Sequence, residues 1–193
     1  PGAEVLFLPF WLLGREEMLS MFLDRTDQNA PNQAARFTSH VRDLKEEALI
    51  ADGREETRRT FTVDSPIPYS LTALVERLED DNTRKNTGAK GQPVKGDWED
   101  KLTRFLSRLN ARLEDRRYGF LFKPPEESEE YDWLHHLVGR LMTSGEGKSG
   151  IKIIDFSEVP SDVIPVVTAA VARLMYQVQF WMEPAERTPF AVV

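Results

Sequence analysis

Residues 151–181, IKIIDFSEVPSDVIPVVTAAVARLMYQVQFW, contain two apolar runs separated by a short polar turn. The first run, residues 151–156, has the length and composition of a buried strand. The second run, residues 163–182, carries a single formal charge, Arg173, and predicts a long buried helix. Residues 188–193 predict another buried strand. Buried strands that alternate with a helix are typical of a parallel sheet, so we predict an α/β fold.

The composition sets limits on the class of protein. The chain has 193 residues, 40% of them hydrophobic and 30% charged, which fits a globular domain with a sizeable core. Its net charge of −7 argues against a surface that coats nucleic acid, although a local basic segment remains compatible with it. The absence of cysteine excludes disulfides, thiolate metal sites and a cysteine nucleophile.

The apolar helix at residues 163–182 is predicted to lie in a protein core. A charge at the centre of a bilayer costs about 2.5–3.5 kcal/mol, and Arg173, Gln177 and Gln179 all fall inside this helix. No secretory signal is visible near the first residues. We therefore expect a cytoplasmic protein without a membrane span.

The rest of the chain divides into two parts. Residues 5–9 (VLFLP) and 118–122 (YGFLF) predict short buried strands. Residues 15–114 contain several apolar stripes at helical spacing and predict a mostly helical insertion or subdomain. Residues 115–193 predict the α/β core portion.

Residues 80–96 predict a loop, since they contain three glycines and a proline. The loop has no aromatic residue and carries four cations: Arg84, Lys85, Lys90 and Lys95. Two interpretations are open. The loop is either a solvated, mobile connection, or a basic segment that touches the backbone of DNA. Without stacking residues it would not read bases.

The motif GEGKSG at residues 145–150 resembles the end of a Walker A phosphate-binding loop. Two observations argue against that function. The full pattern needs glycine where the chain has Met142, and this loop follows a predicted helix and enters a strand, the reverse of a Walker A loop. We interpret it as a flexible connection.

Two charged residues are candidates for an interface. Asp155 lies at the carboxyl end of the predicted strand 151–156, the edge where parallel sheets bind ligands; alternatively it caps the turn that follows. Arg173, if buried, needs a partner, either a core carboxylate or a neighbouring subunit. The adjacent His135 and His136 point about 100° apart on a helix and predict no metal site.

Several segments in a fixed order carry a resemblance to a known family. They are LPFWLL within residues 5–13, DRRYGFLF at 115–122, IKIIDFSEVP at 151–160, the helix at 169–180, and RTPFAVV at 187–193. The ordered set resembles the HerA/FtsK-like P-loop ATPases, specifically the HerA-type helicase or DNA translocase branch. The resemblance spans nearly the whole chain.

The resemblance implies that the Walker A motif precedes this segment and that the Walker B motif follows it. The chain would then be a partial ATPase domain, an incomplete RecA-like core with no catalytic, cofactor-binding or metal residue, inactive alone. The parent would bind ATP and Mg²⁺, form a homo-hexamer and translocate DNA together with a nuclease or other effector, including in phage defence. The competing interpretations are a stand-alone α/β-helical protein-interaction module and a small enzyme that uses Asp155 and Ser149.

Overall fold

The computed structural model describes residues 5–130, 132–142, 151–185, 187 and 191. The described elements are helices α1 to α8, strands β1 and β2, and three 3-10 turns. The helices are α1 (Arg15–Phe22), α2 (Ala30–Ala51), α3 (Glu55–Thr60), α4 (Leu71–Thr83), α5 (Thr103–Glu114), α6 (Gly119–Phe122), α7 (Trp133–Met142) and α8 (Ile164–Trp181). The strands are β1 (Asn86–Thr87) and β2 (Pro93–Val94), and the 3-10 turns are Phe10–Leu12, Arg116–Tyr118 and Glu126–Glu129.

One hydrophobic core joins the helices of both predicted parts. The helix α5 shows why: Phe105, Leu106 and Leu109 recur at helical spacing, and all three are buried. Phe105 packs its ring against Phe22 of α1 at 6.3 Å and Phe37 of α2 at 5.8 Å between ring centroids. The same buried cluster extends from Leu8 to Leu174 on α8. Helices α1 to α5 lie within residues 15–114, and the division of the chain into an insertion and a core portion stays a prediction.

Two of the predicted strands are not strands. Residues 5–9 run without a ladder partner, apart from a backbone hydrogen bond from Leu8 N to Phe120 O of 3.0 Å. The residues predicted as the strand 118–122 end one 3-10 turn and form helix α6. Tyr118, Leu121 and Phe122 are buried there, at a spacing that fits one face of a helix. A short apolar run does not by its periodicity distinguish strand from helix.

The predicted buried strand at residues 151–156 is also wrong. These residues adopt no regular secondary structure, and Ile151 and Ile153 are 94% and 88% exposed. Ile154 and Phe156, in contrast, pack against the core. A strand needs a hydrogen-bonded neighbour, and no described strand lies beside this segment to provide one.

The long helix is confirmed as α8, with Pro165 in its first turn, where a proline costs no hydrogen bond. The predicted strand at residues 188–193 lies largely outside the described residues. Within those residues the only sheet is the antiparallel pair β1–β2. The described fold is therefore mostly helical, and the predicted parallel sheet is not found in it. No helix in the described ranges is long and apolar enough to cross a bilayer.

Candidate functional site

The predicted basic loop contains an ordered β-hairpin. After α4 ends at Thr83, β1 pairs antiparallel with β2 in the register Asn86↔Val94 and Thr87↔Pro93. Gly88 N donates to Gln92 O at 2.8 Å and continues this pairing towards the tip. Gly91 sits in the tip with φ of 78°, a conformation that glycine adopts without strain. We call residues 84–96 the basic hairpin.

The base of the basic hairpin is fixed to the helical body by polar contacts. The Asn82 side-chain oxygen accepts a hydrogen bond from Leu102 N at 2.8 Å, and its backbone oxygen accepts one from Asp100 N at 3.1 Å. Asn86 Nδ2 donates to an Asp97 carboxylate oxygen at 3.1 Å. These hydrogen bonds hold both strands of the hairpin to the end of α4 and the start of α5. The segment is thus solvated, as one interpretation predicted, but anchored.

Gly96 allows the two strands of the basic hairpin to approach each other closely. A Cβ atom added at Gly96 would lie 1.9 Å from the backbone oxygen of Arg84, which no side chain tolerates. Trp98, directly beyond the hairpin, lies under the Arg36 guanidinium at 5.6 Å and the Lys101 ammonium at 5.9 Å from its ring centroid. The hairpin base is therefore also held to α2 through Arg36.

The four predicted cations are all exposed on this hairpin. Arg84 forms an ion pair with Asp80 one helical turn earlier, and the Lys95 ammonium lies 3.6 Å from an Asp100 carboxylate oxygen. Both pairs are solvent-exposed and therefore weak. Continuing the register by one residue sets Lys85 opposite Lys95, a like-charge cross-strand pair.

The second group of charges is buried between α2 and α4. Asp81 is 3% exposed and accepts hydrogen bonds from His40 Nε2 at 2.6 Å and Arg36 Nη2 at 2.8 Å. Burial alone would raise the pKa of Asp81, but the bonds from Arg36 and His40 outweigh it and hold that pKa below its usual value. This cluster fastens α4, which leads into the basic hairpin, onto α2.

Lys45 is another buried charged residue, and no carboxylate in the described part of the chain forms an ion pair with it. It is 1% exposed, and its ammonium donates to the backbone oxygens of Val63 and Ser65, both at 2.7 Å. It also lies 5.5 Å from the centroid of the Tyr69 ring. Burial lowers the pKa of Lys45 to about 8, with the nearby Asp64 opposing the shift. Lys45 therefore holds the loop between α3 and α4 against α2.

Arg173 finds its partner inside the chain. Its guanidinium donates to both carboxylate oxygens of Glu17, at 2.8 and 3.1 Å, and to Leu12 O at 2.8 Å. Glu17 in turn accepts a hydrogen bond from Gly14 N at 2.6 Å. Of the two alternatives left open by the sequence, the structure contains the ion pair with a carboxylate of the same chain. The pair joins α8 to the first residues of α1.

Asp155 lies in an exposed turn and at no described sheet edge. Its carboxylate accepts hydrogen bonds from the backbone N–H of Ser157, at 2.9 Å, and from the Ser157 hydroxyl. These bonds lower the pKa of Asp155. The turn precedes α8 by several residues, so Asp155 stabilises the turn without capping the helix. Asp155 and the basic hairpin are not linked by any contact among the described residues.

The C-terminal turns of α8 present an exposed aromatic face, formed by Tyr176, Phe180 and Trp181. Their exposed fractions are 66%, 63% and 67%. The rings of Tyr176 and Phe180 stack with centroids 6.3 Å apart. Exposed apolar side chains that adjoin one another, unlike single ones, indicate a contact surface.

Sequence reasoning missed the buried charges on α2. His40 and Lys45 occupy the same helical face as Phe37, Val41 and Leu44, and this spacing was the signal that could have found them. The GEGKSG motif, with Ser149, lies outside the described residues. Among the residues described, no group of three metal-ligating side chains could hold an ion, and His135 and His136 contact each other ring to ring.

Comparison with known proteins identifies the family. The family model described as "Helicase HerA, central domain" matches residues 3–175. The chain therefore belongs to the HerA central-domain family. This finding confirms the resemblance to a segment of a HerA/FtsK-like P-loop ATPase. No curated protein matches the chain.

Proposed function

We propose that this chain is the segment between the Walker A and Walker B motifs of a HerA-type, ATP-driven DNA translocase. The observation that carries the proposal is the family match over residues 3–175. The incomplete RecA-like core, with a helical insertion at residues 15–114, belongs to this proposal. We also propose that the full-length protein is cytoplasmic and forms a homo-hexamer. Its partner would be a nuclease or another effector, including in phage defence.

We propose that ATP and Mg²⁺ bind outside the described residues, because the buried lysine and the paired carboxylates of this chain are already bound to groups of the same chain. Phosphate binding in P-loop proteins uses glycine amides at a helix N-terminus together with an accessible lysine. Lys45, the buried lysine, instead donates to the backbone oxygens of Val63 and Ser65 and is 1% exposed. The carboxylates of Asp81 and Glu17 are bound to cations of the same chain. We therefore assign nucleotide binding to the parent protein and not to the described residues.

Two tests address this assignment. Calorimetric titration of the 193-residue chain with Mg-ATP should give no binding heat; micromolar binding would overturn the assignment. The gene that encodes the chain should carry a Walker A motif upstream and an acidic Walker B strand end downstream. Their absence would exclude the translocase and leave the interaction module as the function.

The aromatic face of α8 supports contacts with another subunit. In the full-length protein, Tyr176→Glu with Phe180→Glu should shift the assembly to smaller species in light scattering, because charges replace an apolar contact. Ile50→Glu is the control for placing a charge at an exposed apolar residue elsewhere, since Ile50 is 54% exposed on α2. An unchanged assembly in the α8 variant would remove this support for a subunit interface at α8.

The same face gives a reason to keep the second candidate, a stand-alone protein-interaction module. A module would use the aromatic face to hold a different protein without any dependence on ATP. The two functions differ in one measurement: DNA-stimulated ATP hydrolysis by the full-length protein is expected only for the translocase.

A further inference from the structure

The basic hairpin is a short arm that projects from an acidic body. Residues 84–96 contain four cations and no acidic residue. The whole chain has a net charge of −7, so everything outside the hairpin carries −11. The hairpin is therefore a local positive segment that attracts an anionic polymer to a chain whose net charge is negative.

Two positive charges of the basic hairpin, Lys85 and Lys95, lie opposite each other and reduce the stability of the strand pair. The strand register sets Lys85 opposite Lys95, and like charges placed directly opposite destabilise a strand pair. Lys90 follows at the tip, beyond the turn at Gly88. Phosphates of a bound ligand would neutralise this pair of like charges.

The arm is built to hold its charges in place. Gly96 permits the close approach of the two strands, and Asn82 and Asn86 fix the base through hydrogen bonds. With a rise of about 3.3 Å per residue, the distance from Lys85 to the tip is on the order of 15 Å, which spans several phosphates of one strand. Anchored charges lose less freedom on binding than charges on a mobile loop.

The composition of the arm narrows the class of ligand. It has no aromatic residue to stack on a base, and its one large apolar residue is Val94, which is 38% exposed. It therefore lacks the means to read sequence or to insert into a lipid bilayer. Point charges at the base and at the tip of the hairpin fit phosphates that lie at intervals along a nucleic-acid backbone.

We propose that the basic hairpin is a sequence-independent contact for the sugar-phosphate backbone of nucleic acid, with Lys85, Lys90 and Lys95 as its phosphate-binding residues. This inference rests on the proposed DNA translocase and specifies where the nucleic acid is held. Arg84 adjoins the end of α4 and contributes mainly to the base of the hairpin; the ion pairs of Arg84 with Asp80 and of Lys95 with Asp100 are both exposed, so a phosphate can replace the carboxylate.

The test measures binding of the full-length protein to duplex DNA of unrelated sequences over a range of salt concentrations. Replacing Lys85, Lys90 and Lys95 with Gln should weaken binding equally for all sequences. It should also make the slope of log K against log salt shallower by about 2 to 3, since each phosphate contact contributes about 0.9. Thermal denaturation should show an unchanged fold.

The control variant replaces Arg59, Arg116 and Lys123, which are also exposed, with Gln. It changes the net charge by the same amount and should leave the slope close to that of the unmodified protein. An equal effect of both variants, or none from the hairpin variant, would overturn the hairpin assignment. Failure of the unmodified protein to bind DNA at low salt would instead overturn the translocase proposal itself.

Two further experiments test whether the positions of the charges matter and whether the ligand is a nucleic acid or a membrane surface. Gly96→Ala keeps all four cations but disturbs the junction with Arg84, and it should also weaken DNA binding; full affinity would mean that the charges act without being positioned. Vesicles containing phosphatidylserine supply anionic phosphates on a membrane surface. Binding to them that depends on the same three lysines and exceeds DNA binding would overturn the choice of nucleic acid.

Discussion

The basic hairpin and the interface between α2 and α4 lie next to each other, yet they use charge in opposite ways. At the interface, Asp81 is 3% exposed and is held by both His40 and Arg36. On the hairpin, Lys95 and its partner Asp100 are 68% and 76% exposed and 3.6 Å apart. The first arrangement is closed within the protein, and the second stays open to solvent and to a ligand.

The difference shows how to separate structural charges from functional ones in this fold. A buried charge is costly unless it is fully paired, so its partners must come from the same molecule. An exposed cation has no such requirement, and its ion pairs contribute little. Charge at the interface should therefore matter for stability, and charge on the hairpin for binding.

The strongest test of this comparison removes the buried carboxylate. Asp81→Ala leaves Arg36 and His40 without their acceptor, and we expect the free energy of unfolding to fall by about 3 to 5 kcal/mol in urea denaturation. The matched change on the hairpin, Lys95→Gln, should alter it by less than about 0.5 kcal/mol. Equal losses in the two variants would contradict the distinction.

The second test uses the pH dependence of stability that Lys45 introduces. Its pKa is about 8 in the folded chain, against 10.5 for an ordinary lysine. In that interval the unfolded chain binds a proton that the folded chain has lost, so stability rises with pH. We expect a gain of about 2 kcal/mol between about pH 7 and about pH 9.5.

Lys45→Met should abolish most of that gain, because a methionine does not titrate. The measurement is the free energy of unfolding of both proteins at several pH values. The upper limit avoids the range in which Tyr69, whose pKa burial raises, would oppose the gain. A pH profile that is identical in the two proteins would show that Lys45 is not the group responsible.

The third test concerns the partly buried pair of Arg173 and Glu17. A double-mutant cycle with Arg173→Met and Glu17→Gln should give a coupling free energy of about 1 kcal/mol, between the values for the buried and exposed pairs. Their side chains are 29% and 19% exposed. Coupling near zero would mean that Arg173 is held mainly by the Leu12 oxygen.

The smallest expected change in the free energy of unfolding comes from a substitution on the basic hairpin. Lys85→Gln removes the like-charge pair with Lys95, and we expect stability to increase by a few tenths of a kcal/mol. The increase should vanish at high salt, where exposed charges are screened. A clear loss of stability would show that Lys85 supports the fold and would weaken its assignment to phosphate binding.

Several elements could be predicted from the sequence because their signals are local. The long helix α8 follows from a continuous apolar run with a proline only in its first turn. The stripe of Phe105, Leu106 and Leu109 predicts the buried face of α5 in the same way. The basic residues of the hairpin and the ordered motifs that place the chain in the HerA family are likewise visible in the sequence.

The predicted strands failed because a strand depends on a neighbour. Residues 118–122 have an apolar pattern that suits either a strand or a helical turn, and packing of Tyr118 and Leu121 into the core selects the helix. For residues 151–156, no described strand provides a ladder, so the apolar composition was not enough.

The sequence by itself determined the long amphipathic and apolar helices, the family and the positions of the cations, since periodicity and composition act over a few neighbouring residues. Only the tertiary structure decided which charges are buried and paired and which are exposed to solvent. Asp81 meets Arg36 and His40, and Arg173 meets Glu17, across long separations in the chain. Pairing of this kind depends on how helices pack, and no local pattern contains it.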